Sequence, residues 1–301
     1  MSDALLLLPD FALIVCGYLI CRYTALDRPL WDGVERLVYY LLFPALLFGT
    51  IVRYPLELAP ALPFVGSALA VVAAGVALAY ALRLFPAVDA HLHASGAQTA
   101  FRFNSYVALA LAERLGGGAG LASMALLISV TVPFCNVAAV WPLARHGGHG
   151  YARELLRNPL ILATAAGLLF NLAGLQLPSL MSTTLTRMGA AALPLGLMAV
   201  GAGLQLGALR EGPRLAAALM TIRHVLLPAL AIFLVVALGL PPLQQVLVVA
   251  FAAMPTASSA YVLAVRMGGH GGFVAGLVTV STLLAMPTLP LWLAAWRALT
   301  P

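Results

Sequence analysis

Arg102 and Asn104 are the residues of this chain best placed for chemistry. They stand in the run Phe101-Arg102-Phe103-Asn104-Ser105-Tyr106, inside an apolar stretch that opens after Asp89, His91 and His93. If that stretch crosses a bilayer, Arg102 lies about 9–11 residues deep, near the midplane. An arginine at that depth costs at least about 2.5–3.5 kcal/mol on insertion scales. The functional expectation is a counter-charge for an anion, because a guanidinium meets a carboxylate in bidentate geometry. Snorkelling to the interface or a local ion pair is the alternative. The amide of Asn104 can accept from a cation, donate to a carboxylate or cap freed backbone. A second polar run, Ala253-Met254-Pro255-Thr256-Ala257-Ser258-Ser259, combines a proline that breaks the helix ladder with three hydroxyls. The expected substrate-binding set is Arg102, Asn104, Tyr106, Pro255, Thr256, Ser258 and Ser259. Pro44, Pro194, Pro133 and Asn136 are expected to support the cavity or flank the crossing.

Other chemistries have no residues to perform them. No HExxH, GxSxG, Walker A or dinucleotide glycine motif occurs. The six histidines lie mostly in connections, with His224 and His270 near span ends, and have no metal-ligand spacing. Cys16, Cys21 and Cys135 lie in apolar runs and read as small buried residues without a disulfide framework. An intramembrane hydrolase would need Ser95 or Ser259 beside a histidine at membrane depth, and no histidine is plainly there. The expectation is a protein that is not an enzyme, with no catalytic residue, no metal and no cofactor. The ten acids are Asp3, Asp10, Asp27, Asp32, Glu35, Glu57, Asp89, Glu113, Glu154 and Glu211, none plainly at mid-span. Glu113 and Arg114 read as interfacial. A carboxylate proton relay is therefore not visible. A coupling ion, H+ or Na+, would have to use carbonyls, amides, hydroxyls or the substrate.

These residues need elements to hold them, and composition says what kind. The chain has 301 residues, of which 62% are hydrophobic and 9% charged. Soluble domains carry about 25% charged residues. Its mean hydropathy is +1.01. A soluble enzyme, a disordered chain and a nucleic-acid binder are excluded, leaving an all-α integral membrane protein in a lipid bilayer. Breaking the chain at charges and Pro/Gly clusters gives ten spans. They are 4–22, 37–53, 62–83, 95–114, 119–143, 159–177, 187–207, 219–240, 243–266 and 272–296. The apolar run opens at Ala4 with no basic leader or cleavage site, so no cleaved signal peptide is expected.

All 16 basic residues are arginine. Connections after odd-numbered spans collect Arg22, Arg28, Arg36, Arg83, Arg145, Arg153, Arg157, Arg210, Arg214, Arg223 and Arg266. The opposite side collects Arg53, Arg114, Arg187 and Arg297. The richer side is cytoplasmic by the positive-inside rule, which puts both termini outside.

The two halves of the chain resemble each other. A shift of 150 places Pro9 on Pro159, Gly17 on Gly167 and Pro44 on Pro194. A shift of 152 lays VALALAERLGG at Val107–Gly117 over SAYVLAVRMGG at Ser259–Gly269, with Arg114-x-Gly116-Gly117 on Arg266-x-Gly268-Gly269. It also sets Phe103 on Pro255 and Asn104 on Thr256. Residues 1–150 and 151–301 thus read as two five-helix repeats. An odd span number inverts the second repeat, a recurring build of secondary transporters with sites at broken mid-membrane helices.

Four runs then resemble the auxin efflux carrier family of membrane transporters. They are Arg102-Phe103-Asn104-Ser105-Tyr106; Asn158-Pro159-Leu160-Ile161 with Gly167-Leu168-Leu169; Ala191-Ala192-Leu193-Pro194-Leu195 with Gly201 and Gly203; and Met254-Pro255-Thr256-Ala257. The resemblance covers nearly the whole chain. The short connection between Arg145 and Arg157 makes it similar to compact bacterial-type members. It implies ten transmembrane helices in two inverted repeats, with broken crossing helices 4 and 9. Helices 1, 2, 6 and 7 would form a scaffold, and helices 3, 4, 5, 8, 9 and 10 an elevator-type transport part. It also implies efflux or exchange of a small organic anion such as a carboxylate across a bacterial inner membrane. A homodimer is one arrangement this leaves open, and a sodium-coupled bile-acid-type symporter is the alternative carrier. The fourth span departs from the pattern in lacking a proline between Phe101 and Arg114, so Asn104 and small residues would have to permit the break there.

Overall fold

The computed structural model describes residues 3–53, 58–85, 88–144, 159–205 and 211–300. The connection from Arg145 to Arg157, Asn158, Glu57, Arg210 and the end of the seventh span lie outside the described residues. The described residues are helical, with no strand among them. The helices are α1 (Asp3–Tyr23), α2 (Arg28–Leu37), α3 (Phe43–Arg53), α4 (Leu58–Ala81), α5 (Ala90–Gly96), α6 (Ser105–Ala144), α7 (Pro159–Leu172), α8 (Ser179–Ala202), α9 (Pro213–Thr221), α10 (Leu227–Ala237), α11 (Pro242–Ala253), α12 (Ser259–Arg266) and α13 (Gly271–Leu299). Six segments among the described residues are long and apolar enough to cross a membrane: Arg28–Arg53, Ala61–Leu84, Ala90–Val140, Ser179–Ala202, Pro213–Ala237 and Gly271–Leu299. The all-α membrane class follows from these segments.

The chain forms two compact units that cut across the sequence halves. The first holds Met1–Leu62, Leu109–Ser129 and Gly150–Gly203. Its tightest contact is between α1 and α8, where glycine lets backbones touch. A Cβ on Gly17 would lie 1.9 Å from the Met198 carbonyl oxygen, and one on Gly201 would lie 1.7 Å from that of Ile14. The Asn171 amide donates to the Ile51 carbonyl at 2.6 Å and so ties α7 to α3 across the helix boundary. Two expectations are corrected in this unit. Asp10 lies within α1 and is only 6% exposed, so one carboxylate is buried inside a helix. It takes both prongs of Arg114, from Nε at 2.5 Å and Nη2 at 2.9 Å, so the exposed Arg114 pairs with a buried carboxylate. Cys16 is exposed on α1 and Cys21 is half-buried, contrary to their reading as buried residues.

The second unit holds Pro63–Ala108, Val130–His149 and Leu204–Pro301. Two of its breaks between helices carry the polar runs. The first break runs from Phe101 to Asn104, between a 3-10 turn at Ala97–Ala100 and α6. The second runs from Met254 to Ser258, between α11 and α12. The 152-residue shift lays residues 102–104 over 254–256. In both halves a positive-φ glycine follows, Gly117 (φ 57°), where Ser105–Ala144 kinks between two helices, and Gly268 (φ 71°) after α12. Before the first break, the Asp89 carboxylate caps α5 by accepting the Leu92 N–H at 2.8 Å. That bond holds its carboxyl below the usual range.

Proline shapes a third feature. Ile222–Leu226 is a π-turn, closed by the Leu227 N–H donating to the Ile222 carbonyl. Pro228 follows directly. Its missing N–H and its ring disrupt the regular ladder of the preceding turn, which widens by one residue. Val38–Leu42 repeats the pattern in the first unit, ahead of Pro44. The π-turn lies inside Pro213–Ala237, so Arg223 is a buried mid-span residue and not part of a connection. The span begins at Pro213 and not at 219, which moves Arg223 inward from its edge. The arginine asymmetry then stands at ten against four and keeps its sign.

Candidate functional site

The two breaks meet in the second unit. The Asn104 N–H donates to the Pro255 carbonyl at 2.8 Å. Thr256 locks the contact, its hydroxyl donating to the Thr99 and Arg102 carbonyls. The Thr256 N–H donates to Ser281 Oγ on α13 at 2.8 Å, and Ser281 Oγ lies 2.9 Å from His224 Nε2. Trp292 Nε1 donates to the His224 carbonyl at 2.8 Å. Pro255 and Thr256 are both buried in this strap.

Each break is followed by a helix N-terminus, where N–H groups point outward and the dipole is positive. Asn104 starts α6 without a proline by capping it. Its Oδ1 accepts from the N–H groups of Tyr106 at 3.0 Å and Val107 at 3.3 Å. Once Oδ1 is used in this way, the amide nitrogen is left as a donor. Asn104 is 2% exposed, and its Nδ2 has no hydrogen-bond partner among the described residues. Ser258 precedes α12, and its buried Oγ has no partner among them either. Two buried donor groups thus stand unmet at the starts of two helices, a state that native structures rarely tolerate without a ligand or water. Arg102 lies beside them, with Nη1 donating to Gln98 Oε1 and Nη2 to Ser259 Oγ, both at 3.0 Å.

Six of the seven expected binding residues therefore gather at the crossing: Arg102, Asn104, Pro255, Thr256, Ser258 and Ser259. The seventh, Tyr106, stands in the first turn of α6. Of the supporting set, Pro133 and Asn136 bracket Cys135, whose thiol faces the Phe101 carbonyl at 3.6 Å. Pro44 is the second residue of α3, in the first unit. Pro194 lines a different space. The first unit encloses a cavity of about 570 Å³ whose polar walls include Asp10, Arg53, Glu113 and Arg114. That cavity has volume, but its arginines are already engaged: Arg114 by Asp10, and Arg53 by the Thr186 and Ser182 hydroxyls. The crossing sets two unmet donors beside Arg102, which makes it the candidate site.

Sequence reasoning missed Gln98, Arg223, His224 and Ser281. Gln98 stands four residues before Arg102, the spacing of a helical neighbour. Pro228 marks the π-turn that buries Arg223 and His224. His224 and Ser281 also correct the expectation that no serine–histidine pair exists at depth. The pair is present but sealed, at 3% and 0% exposure, and Ser281 already accepts from Thr256. Among the described residues, the other ring nitrogen of His224 meets the Thr288 hydroxyl at 3.4 Å and no carboxylate. That is a structural strap without access for a substrate.

Residues 148–293 match the family described as membrane transport protein. Over these residues the chain is similar to that family. The resemblance read from its four motifs is thereby borne out. The chain is also 28% identical to a protein of Rhizobium meliloti (strain 1021) named "Putative malonate transporter", over 94% of this chain and 92% of the relative. Both similarities point to a membrane transporter.

Proposed function

We propose that this transporter is a secondary carrier for a small organic anion, a carboxylate, in a bacterial inner membrane. One observation carries the reading: among the described residues, Asn104 Nδ2 and Ser258 Oγ are buried, unpartnered and placed at two helix starts beside Arg102. Donors, positive dipole ends and a guanidinium favour negative charge. A carboxylate would accept from Asn104, Ser258 and Ser259 and pair with Arg102, while Thr256 and Pro255 hold the crossing closed behind it. The name of the Rhizobium meliloti relative supports a dicarboxylate such as malonate.

The breaks at equivalent positions of the halves support ten crossings in two inverted repeats. The ten-to-four arginine asymmetry supports termini on the outer side. The compact units support an elevator movement. The first unit takes in spans 1, 2, 6 and 7, and the second most of spans 3, 4, 5, 8, 9 and 10. Transport would be efflux or exchange. The test is exchange of labelled malonate across proteoliposomes loaded with malonate, succinate or a monocarboxylate. Saturable exchange with carboxylates and none with cationic or neutral solutes is expected. Exchange indifferent to substrate charge would reject the reading.

A further inference from the structure

Breaking two helices frees carbonyls as well as N–H groups. In carriers with broken helices, unwound carbonyls and half-helix C-terminal ends are the groups that coordinate a coupling cation. In this crossing six such carbonyls already accept from protein donors. The Phe101 carbonyl faces the Cys135 thiol, those of Thr99 and Arg102 accept from the Thr256 hydroxyl, and that of Pro255 accepts from the Asn104 N–H. The carbonyl end of α11 is taken by Arg223. Its Nε donates to the Met254 oxygen at 2.7 Å and its Nη2 to that of Phe251 at 3.4 Å.

Arg223 is 1% exposed, and no acid pairs with it among the described residues. A buried charge needs compensation. The compensation here is the negative end of the α11 dipole and its freed carbonyls. The π-turn ahead of Pro228 makes this possible, because it holds Arg223 and its neighbour His224 both inside the unit. Six carbonyls of the crossing thus accept from protein donors, two of them from Arg223, while the donor side keeps two open groups among the described residues.

We infer that Arg223 is a built-in cation that fills the carbonyl end of α11 in place of a coupling ion, so that anion transport proceeds without sodium. The inference rests on the reading of this crossing as the carrier's anion site. Arg223 acts through α11 and the Met254–Ser258 break and is a positioning residue.

The test reconstitutes wild type, Arg223→Ala and Arg223→Lys in malonate-loaded liposomes. Exchange of labelled malonate is read in sodium chloride and in choline chloride at equal ionic strength. Wild type should exchange within about twofold in the two salts, and Arg223→Ala should fall at least about tenfold in choline. Millimolar guanidinium or sodium should restore Arg223→Ala in part, by entering the vacated carbonyl end. Arg223→Lys should stay sodium-independent at a reduced rate. Independently of transport, millimolar guanidinium should raise the Tm of Arg223→Ala and leave that of wild type unchanged. A sodium requirement in wild type or Arg223→Lys overturns the inference. So does an Arg223→Ala that exchanges like wild type in choline or gains no stability from guanidinium. If Arg223→Ala does not fold, the salt dependence of wild type and Arg223→Lys decides. If wild type exchanges no carboxylate, the proposed function fails and the guanidinium Tm arm still decides this inference.

Discussion

The backbone N–H of Asn104 donates to the carbonyl of Pro255 at 2.8 Å, joining two helix breaks that come from opposite halves of the chain. That bond uses the Asn104 N–H, while the side chain uses Oδ1 on its own helix and leaves Nδ2 over. One residue thus fixes the crossing, caps α6 and presents a donor.

These roles separate on substitution. Asn104→Asp keeps the capping oxygen and suits a helix N-terminus, but replaces the open donor with a negative charge. Its Tm should stay near wild type while carboxylate exchange falls at least about tenfold. Asn104→Ala loses the cap as well and should be destabilised by about 1 kcal/mol. Parallel melting and exchange assays check both.

Arg102 is expected to act on affinity. Arg102→Gln should raise the malonate KM about tenfold or more with a smaller change in maximal rate, because it removes charge without cutting the backbone bonds of the crossing. Arg102→Lys should recover only part of the loss, since an ammonium has no bidentate fork. Initial exchange rates over a malonate concentration series measure both.

How far the sequence reveals this site depends on the kind of signal. Pro255, Arg102 and Asn104 stand out because each breaks a local rule of an apolar span, and the repeat register brings them into correspondence. Arg223 and His224 do not stand out, because a charge in a sequence marks the edge of a span, and one buried within a span is thereby displaced to its end. Ser281 is one hydroxyl in an apolar helix, and nothing local separates it from Thr279 or Thr282. Asp10 shows the same limit, since its partner Arg114 is 104 residues away and pairing at that distance has no local signature.

Ser281→Ala tests the strap behind the crossing. It removes the acceptor of the buried Thr256 N–H and the partner of His224, and should cost about 1–3 kcal/mol. A fluorophosphonate probe should label neither wild type nor variant, because Ser281 is sealed. Denaturation and probe labelling check the two halves of this expectation.

The first unit can be tested apart from substrate. Gly17→Val or Gly201→Val would drive a side chain into a backbone carbonyl, which cannot be relieved by a rotamer change, and should abolish a monodisperse purified protein. A Cβ added to Gly33 would meet nothing within 4 Å, and the position is exposed, so Gly33→Ala should be neutral or stabilising by roughly 0.5–1 kcal/mol. Size-exclusion profiles and Tm values compare them.

The carboxylate is expected at the crossing of the second unit, and the most direct measurement is an experimental structure with malonate bound. Malonate oxygens within hydrogen-bond distance of Asn104 Nδ2, Ser258 Oγ and the Arg102 guanidinium are the expected result. Malonate held instead by Arg53 and Arg114 in the cavity of the first unit, with the crossing donors still unmet, would contradict it.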